Sequence, residues 1–94
     1  MAFHVYILSS QRNGTLYIGS TDNLAKRIWE HRESIRGGFT DTYGVKMLVW
    51  HQAYDTREGA FRRERQMKKW NRLWKIRLIE RSNPGWRDLY EDLF

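Results

Sequence analysis

Two stretches, Phe3-His4-Val5-Tyr6-Ile7-Leu8-Ser9 and Thr15-Leu16-Tyr17-Ile18-Gly19-Ser20, decide how this chain folds. Both are rich in strand-forming residues, and Asn13-Gly14 between them is a strong hairpin signal. A two-residue type I′ loop at Asn13-Gly14 pairs Arg12 with Thr15, Ser10 with Tyr17 and Leu8 with Gly19. Side chains alternate along a strand, so Tyr6 and Tyr17 then project from one face. Phe3, Val5, Ile7, Leu16 and Ile18 form the opposite, core-facing side.

Beyond the hairpin, Thr21-Asp22-Asn23 offers N-caps to a helix running to about Ile35, with Leu24, Ala25, Ile28 and Trp29 as its apolar positions. Arg27 and His31 are four residues apart and stand one above the other at the edge of that stripe. Arg36-Gly37-Gly38 ends the helix, and a loop follows from Phe39-Thr40 to Tyr43-Gly44. Residues 46–54 read as a third strand.

Asp55-Thr56-Arg57-Glu58 has the form of a capping box, opening a helix to about Trp70 whose inward stripe is Ala60, Phe61, Met67 and Asn71. Glu64 falls in the same stripe. A carboxylate there is costly unless paired or bound to a cation, and Lys68, one turn on, is the structural alternative to a metal. A last helix over about residues 72–81 buries Leu73, Ile76 and Ile79, with Trp74 and Leu78 adjoining. Asn83-Pro84 stops it, and the tail to Phe94, with Trp86, Leu89 and Tyr90, packs back onto the rest. The expected fold is α+β: one small domain over residues 1–94, a three-stranded antiparallel sheet flanked by helices.

Composition narrows the function. The absence of cysteine among 94 residues excludes a disulfide framework, a thiol nucleophile and a cysteine zinc site. The apolar run near the N-terminus is too short for a signal peptide or a membrane span, so a cytoplasmic location is expected. Seventeen Lys and Arg against eleven Asp and Glu give a net charge of +6. Between Arg62 and Arg81, nine bases face two acids. Such a run is either a solvated helix face or a surface for a polyanion, nucleic acid foremost. Arg62, Arg63, Lys68, Lys69, Arg72 and Lys75 are its candidate phosphate contacts. No Ser-His-Asp order stands out, and His4, His31 and His51 are too scattered for a zinc site. What remains is a polar set: Tyr6, Tyr17, Arg27, His31 and Glu64.

At these residues the chain resembles the GIY-YIG nucleases. Val5-Tyr6-Ile7 and Tyr17-Ile18-Gly19 are similar to that family's two signature motifs, with His4 standing where the first usually has glycine. Arg27 and His31 match the helix that follows, and Glu64 matches the helix carrying the acidic metal ligand. Phe39-Thr40 and the Asn83-Pro84 ending are similar to the small single-domain bacterial members. The resemblance implies a metal-dependent endonuclease that hydrolyses phosphodiester bonds, in DNA ahead of RNA. It implies Glu64 as ligand to Mg²⁺ or Mn²⁺, with water and phosphate completing the shell. Arg27 then offers its fork of donors to the non-bridging oxygens. Tyr6 is the expected general base, Tyr17 orients water or phosphate, and His31 is the alternative proton acceptor. Asn83 is similar to a polar residue that supports the family's site. Two other readings stay open: a non-catalytic nucleic-acid-binding module on the same fold, and an adaptor for an acidic protein.

Overall fold

In the computed structural model, which describes residues 2–35 and 38–94, three strands build the expected antiparallel sheet. β1 (Phe3–Ser9), β2 (Leu16–Thr21) and β3 (Met47–Tyr54) lie in the order β2-β1-β3. Helices cover both faces: α1 (Leu24–Arg32), α2 (Phe39–Thr42), α3 (Arg57–Lys68) and α4 (Arg72–Ser82), followed by a 3-10 turn at Tyr90–Leu93. On one face Val5, Ile7 and Ile18 pack with Ala60 and Met67 of α3, Ile79 of α4 and Trp86 of the tail. On the other, Tyr6 and Leu8 pack with Leu24 and Ile28 of α1, Val45, and the 3-10 turn. The face bearing the tyrosines is therefore as much core as the Val5 face. No helix among the described residues is long and apolar enough to cross a membrane.

The hairpin differs from the expected one by two residues. Leu8 pairs with Tyr17 and Tyr6 with Gly19. The loop runs from Gln11 to Gly14, closed by Gly14 N–H on the Gln11 carbonyl (2.9 Å) and Ser10 N–H on the Thr15 carbonyl (3.0 Å). Asn13 takes a positive φ of 57° while Gly14 does not, so the type I′ geometry is absent. One tertiary tie and one local bond hold the longer loop. Arg72 of α4 donates to the carbonyls of Asn13 (2.5 Å) and Gly14 (2.6 Å), and Thr15 N–H donates to Ser10 Oγ (2.9 Å). A register shift of two preserves the facing of every side chain, so Tyr6 and Tyr17 still share a face.

Helix ends and faces bring further corrections. Asn23 caps α1, but the helix stops at Arg32 rather than near Ile35. Of the expected Arg36-Gly37-Gly38 stop, Arg36 and Gly37 lie outside the described residues. The expected loop after it contains α2. Thr56, not Asp55, caps α3, its hydroxyl accepting from Gly59 N–H at 3.0 Å. Ala60, Glu64 and Met67 face inward as expected, whereas Phe61 is exposed and Asn71 caps α4 instead of joining the α3 stripe. Trp29 and Leu73 are exposed as well. A three-stranded sheet is narrow, and each helix buries only one thin stripe upon it.

The tail covers the N-terminal end of the β3 edge. A bulge between Ile7 and Leu8 in the β1–β3 register sets Val49 beside Trp50 in the Val5-face core. Asn83 Nδ2 donates to the Val49 carbonyl (3.1 Å), Leu48 N–H donates to Asp88 Oδ1 (3.2 Å), and Leu89 N–H donates to the Leu48 carbonyl (2.7 Å). Those bonds satisfy backbone groups that an edge strand otherwise leaves open. Trp86, 2% exposed, anchors the tail, its indole N–H on Glu80 Oε2 at 2.7 Å. Trp86→Ala should cost about 3–5 kcal/mol in urea unfolding, the usual range for deleting a core aromatic. A loss below about 1 kcal/mol would show that the tail is no part of the core.

Candidate active site

Tyr6 lies in the middle strand, wholly shielded from solvent, and its hydroxyl needs a partner inside the protein. His31, on the last turn of α1, supplies one: Tyr6 Oη and His31 Nε2 are 3.1 Å apart. The other ring nitrogen, Nδ1, meets Thr40 Oγ1 of α2 at 2.9 Å. A single chain of polar contacts thus runs from β1 through α1 to α2. Gly19, opposite Tyr6 on β2, makes room for it, since a Cβ there would stand 2.5 Å from Tyr6 Oη and 2.6 Å from Cζ. Tyr17 sits two residues before Gly19 on the same face, its ring 5.5 Å from His31 and 6.4 Å from Tyr6.

Burial, and next Tyr17 beside it, push the Tyr6 hydroxyl well above the ordinary tyrosine range. The Arg27 guanidinium opposes the shift by charge and hydrogen bonding, and Glu64 adds to it. Both ends of the polar set therefore act on this hydroxyl. Arg27 itself lies 3.4 Å from Glu30 through Nε.

Glu64 reaches the set from the other side of the sheet. Consecutive residues of β2 point to opposite faces, so Gly19 faces α1 while Ser20 faces α3. Ser20 Oγ donates to Glu64 Oε1 (2.5 Å), and Lys68 Nζ lies 2.7 Å from Glu64 Oε2. The Lys68 alternative is thus formed. Because β2 is an edge strand, the two faces communicate around it. A groove of about 350 Å³ follows that edge, lined by Leu16, Tyr17 and Ile18 of β2, Phe39 of α2, Lys68 and Lys75.

The basic residues divide. Arg62 and Lys69 are exposed on one side of α3, and Lys75 lines the edge groove. Lys68 is held on Glu64, Arg63 lies 4.9 Å over the Trp70 ring, and Arg72 is tied to the hairpin loop. Asn83 stands apart from the polar set. Its amide is engaged by the Val49 and Arg87 carbonyls and the Arg87 N–H, beside β3 at the far edge from β2. Those bonds staple the start of the tail to β3. Sequence reasoning missed two contributors, Ser20 and Thr40. Only position hints at them, Ser20 following Gly19 and Thr40 following Phe39.

Residues 2–77 match the model of the GIY-YIG catalytic domain. The chain belongs to the GIY-YIG family. Among similar proteins of this family is a UPF0213 protein of Desulfotalea psychrophila, 36% identical over 90 residues, covering 95% of this chain and 81% of the relative. A UPF0213 protein of Syntrophus aciditrophicus is 38% identical over 82 residues, covering 86% and 92%. The solution NMR structure of a UPF0213 protein from Bacillus halodurans superposes with a TM-score of 0.58 at 28% identity, covering 94% of this chain and 93% of that one.

Two outcomes follow for this GIY-YIG site. Gly19→Ala should displace the Tyr6 ring from His31 and cost about 1–3 kcal/mol, the range for overpacking; an unchanged midpoint in urea would refute the close approach. Tyr6 keeps its proton in the folded state to a pH above that of the unfolded chain. The associated stability is complete below about pH 10 and is lost as pH rises beyond it. Tyr6→Phe should therefore show a shallower loss of unfolding free energy between about pH 10 and 11 than the wild type. Parallel slopes would contradict the raised Tyr6 value.

Proposed function

We propose that this chain is a Mg²⁺- or Mn²⁺-dependent endonuclease that hydrolyses phosphodiester bonds in nucleic acid, DNA ahead of RNA. The supporting observation is the approach of Arg27, Glu64 and the Tyr6–His31 pair from three elements to one edge of the sheet. A bare binding surface has no use for an inward-facing carboxylate at Glu64. The donor set suits a hard cation. Glu64 offers oxygen ligands, Ser20 fixes its orientation, and Oε2 already accepts a positive group in Lys68. Among the described residues no three His, Asp or Glu side chains converge to hold a metal. Glu64 would therefore hold the cation with water and phosphate as its other partners. Once bound, the cation neutralises charge on the phosphoryl and leaving oxygens.

The chain's own groups supply the rest. Arg27 presents planar donors to the non-bridging oxygens, and Tyr17, half-buried on the groove wall, positions the phosphate or the attacking water. A free tyrosinate at Tyr6 is disfavoured by burial. Proton transfer through the hydroxyl avoids it. Tyr6 is shielded in the free protein, so the relay operates once substrate binding admits a water to Oη: that water gives a proton to Tyr6 Oη while Tyr6 gives its own to His31 Nε2. The water oxygen bonds to phosphorus, the bond to the leaving oxygen breaks, and His31 ends as imidazolium. This requires the His31 tautomer in which Nδ1–H donates to Thr40 Oγ1.

Glu64→Gln should abolish cleavage across a panel of labelled DNA and RNA substrates with Mg²⁺ or Mn²⁺. Affinity in the absence of metal should hold or rise, because a negative charge near phosphate has gone. An active Glu64→Gln protein would rule out the proposed metal ligand. Wild-type binding without cleavage of any substrate would favour the non-catalytic binding module.

A further inference from the structure

A second groove, sharing no residue with the one along β2, lies where α3 runs into α4. It has a volume of about 330 Å³ and is lined by Arg63, Trp70, Trp74, Arg77, Leu78 and Arg81. Its chemistry is unusual for a solvated helix face. Trp70 and Trp74 meet edge to face, with ring centroids 6.1 Å apart. Trp74, at the start of α4, leaves 52% of its surface in solvent. Among the described residues Arg63, Arg77 and Arg81 have no carboxylate partner. Glu80, the one acid on α4, is engaged by the Trp86 indole.

We propose that this groove binds an unpaired stretch of nucleic acid, with one base stacked on Trp74 and the flanking phosphates on Arg63, Arg77 and Arg81. The ligand class rests on the nuclease reading above, and the groove adds a preference for single strands. Guanidinium forks match phosphate oxygens, and an exposed indole offers a stacking surface to any base whose face is open. Bases within a duplex are already stacked on one another and gain little from Trp74. An acidic peptide would match the arginines but leave the indole unused. Arg63 and Glu64 are consecutive on α3, so their side chains leave the helix about 100° apart and the groove and the candidate active site adjoin around it. One strand can cross α3 and occupy both.

The test is fluorescence anisotropy with a labelled twelve-nucleotide oligothymidylate and a duplex of the same length, in EDTA over a series of salt concentrations. Trp74→Ala should weaken oligothymidylate binding about 5- to 150-fold, the range for loss of one stacked base. Its duplex affinity should stay unchanged, its melting temperature should fall only by what loss of the Trp70 edge contact entails, and Trp74→Phe should restore most of the binding. Arg77→Glu with Arg81→Glu should flatten the slope of log affinity against log salt by about one to two. Wild-type affinity in Trp74→Ala would overturn the proposal, as would equal losses for single strand and duplex. Competition by a glutamate dodecapeptide as strong as by unlabelled oligothymidylate would overturn it too. The two readings fail separately. Trp74-dependent binding without cleavage of any substrate sinks the nuclease and keeps the groove. Glu64-dependent cleavage with unaltered Trp74→Ala binding sinks the groove alone.

Discussion

A buried hydroxyl in the middle strand governs the arrangement of this protein. Tyr6 is fully covered, and an unsatisfied polar group at such a depth costs about 1–3 kcal/mol. His31 meets that demand at 3.1 Å, which fixes how far along the sheet the end of α1 must sit. Thr40 holds the opposite ring nitrogen, which in turn fixes α2. Gly19 must be bare for the tyrosine to lie where it does. One buried hydroxyl, through two hydrogen bonds, thus sets the position of two helices and the identity of a residue on the neighbouring strand.

The two sheet edges have opposite fates. At β3, the tail engages Leu48 and Val49 through Asp88, Leu89 and Asn83, and Arg32 of α1 adds an ion pair to Asp88 at 2.7 Å. That end of the edge is covered, and covering it also braces the helix that carries His31. At β2 the edge borders a groove instead. Alternation along an edge strand lets Gly19 serve one face while Ser20 serves the other, so groups from α1 and α3 can act around a single strand. Family membership and geometry meet here, since the second signature motif is the segment of β2 that both helices address.

Much of this was legible in the sequence, for identifiable reasons. Strand periodicity and Asn13-Gly14 located the hairpin, and the facing of Tyr6 and Tyr17 survived a wrong register because the slip was even. The register itself was not legible, since Arg72, 59 residues from Asn13, holds the loop open. Helical spacing placed Glu64 inward correctly, and failed for Phe61 and Leu73 because the width of the sheet is a tertiary property. Phe61 instead lies under Arg65, whose guanidinium is 4.9 Å from its ring. Ser20 and Thr40 were overlooked because hydroxyl residues are common on strands and at helix starts, and their partners lie 44 and 9 residues away. Asn83, taken from the resemblance as a support of the site, has a second task in the structure, tying the tail to β3. A side chain able to support a reaction is equally able to tie a chain end to three backbone groups.

The Glu64–Lys68 pair shows how a structural reading and a functional one can both hold. A carboxylate facing a core requires a counter-charge, whatever its role. Lys68 provides it at 2.7 Å, yet its side chain remains half exposed while that of Glu64 is only 11% exposed. The acid is fixed by its helix and by Ser20; the base is a flexible stem whose ammonium regains full hydration on leaving. Replacing Lys68 with another cation therefore costs little, whereas moving Glu64 would disturb the core. Of the two partners, the one that can yield is the one already bordering the edge groove, where a phosphate would receive the released ammonium.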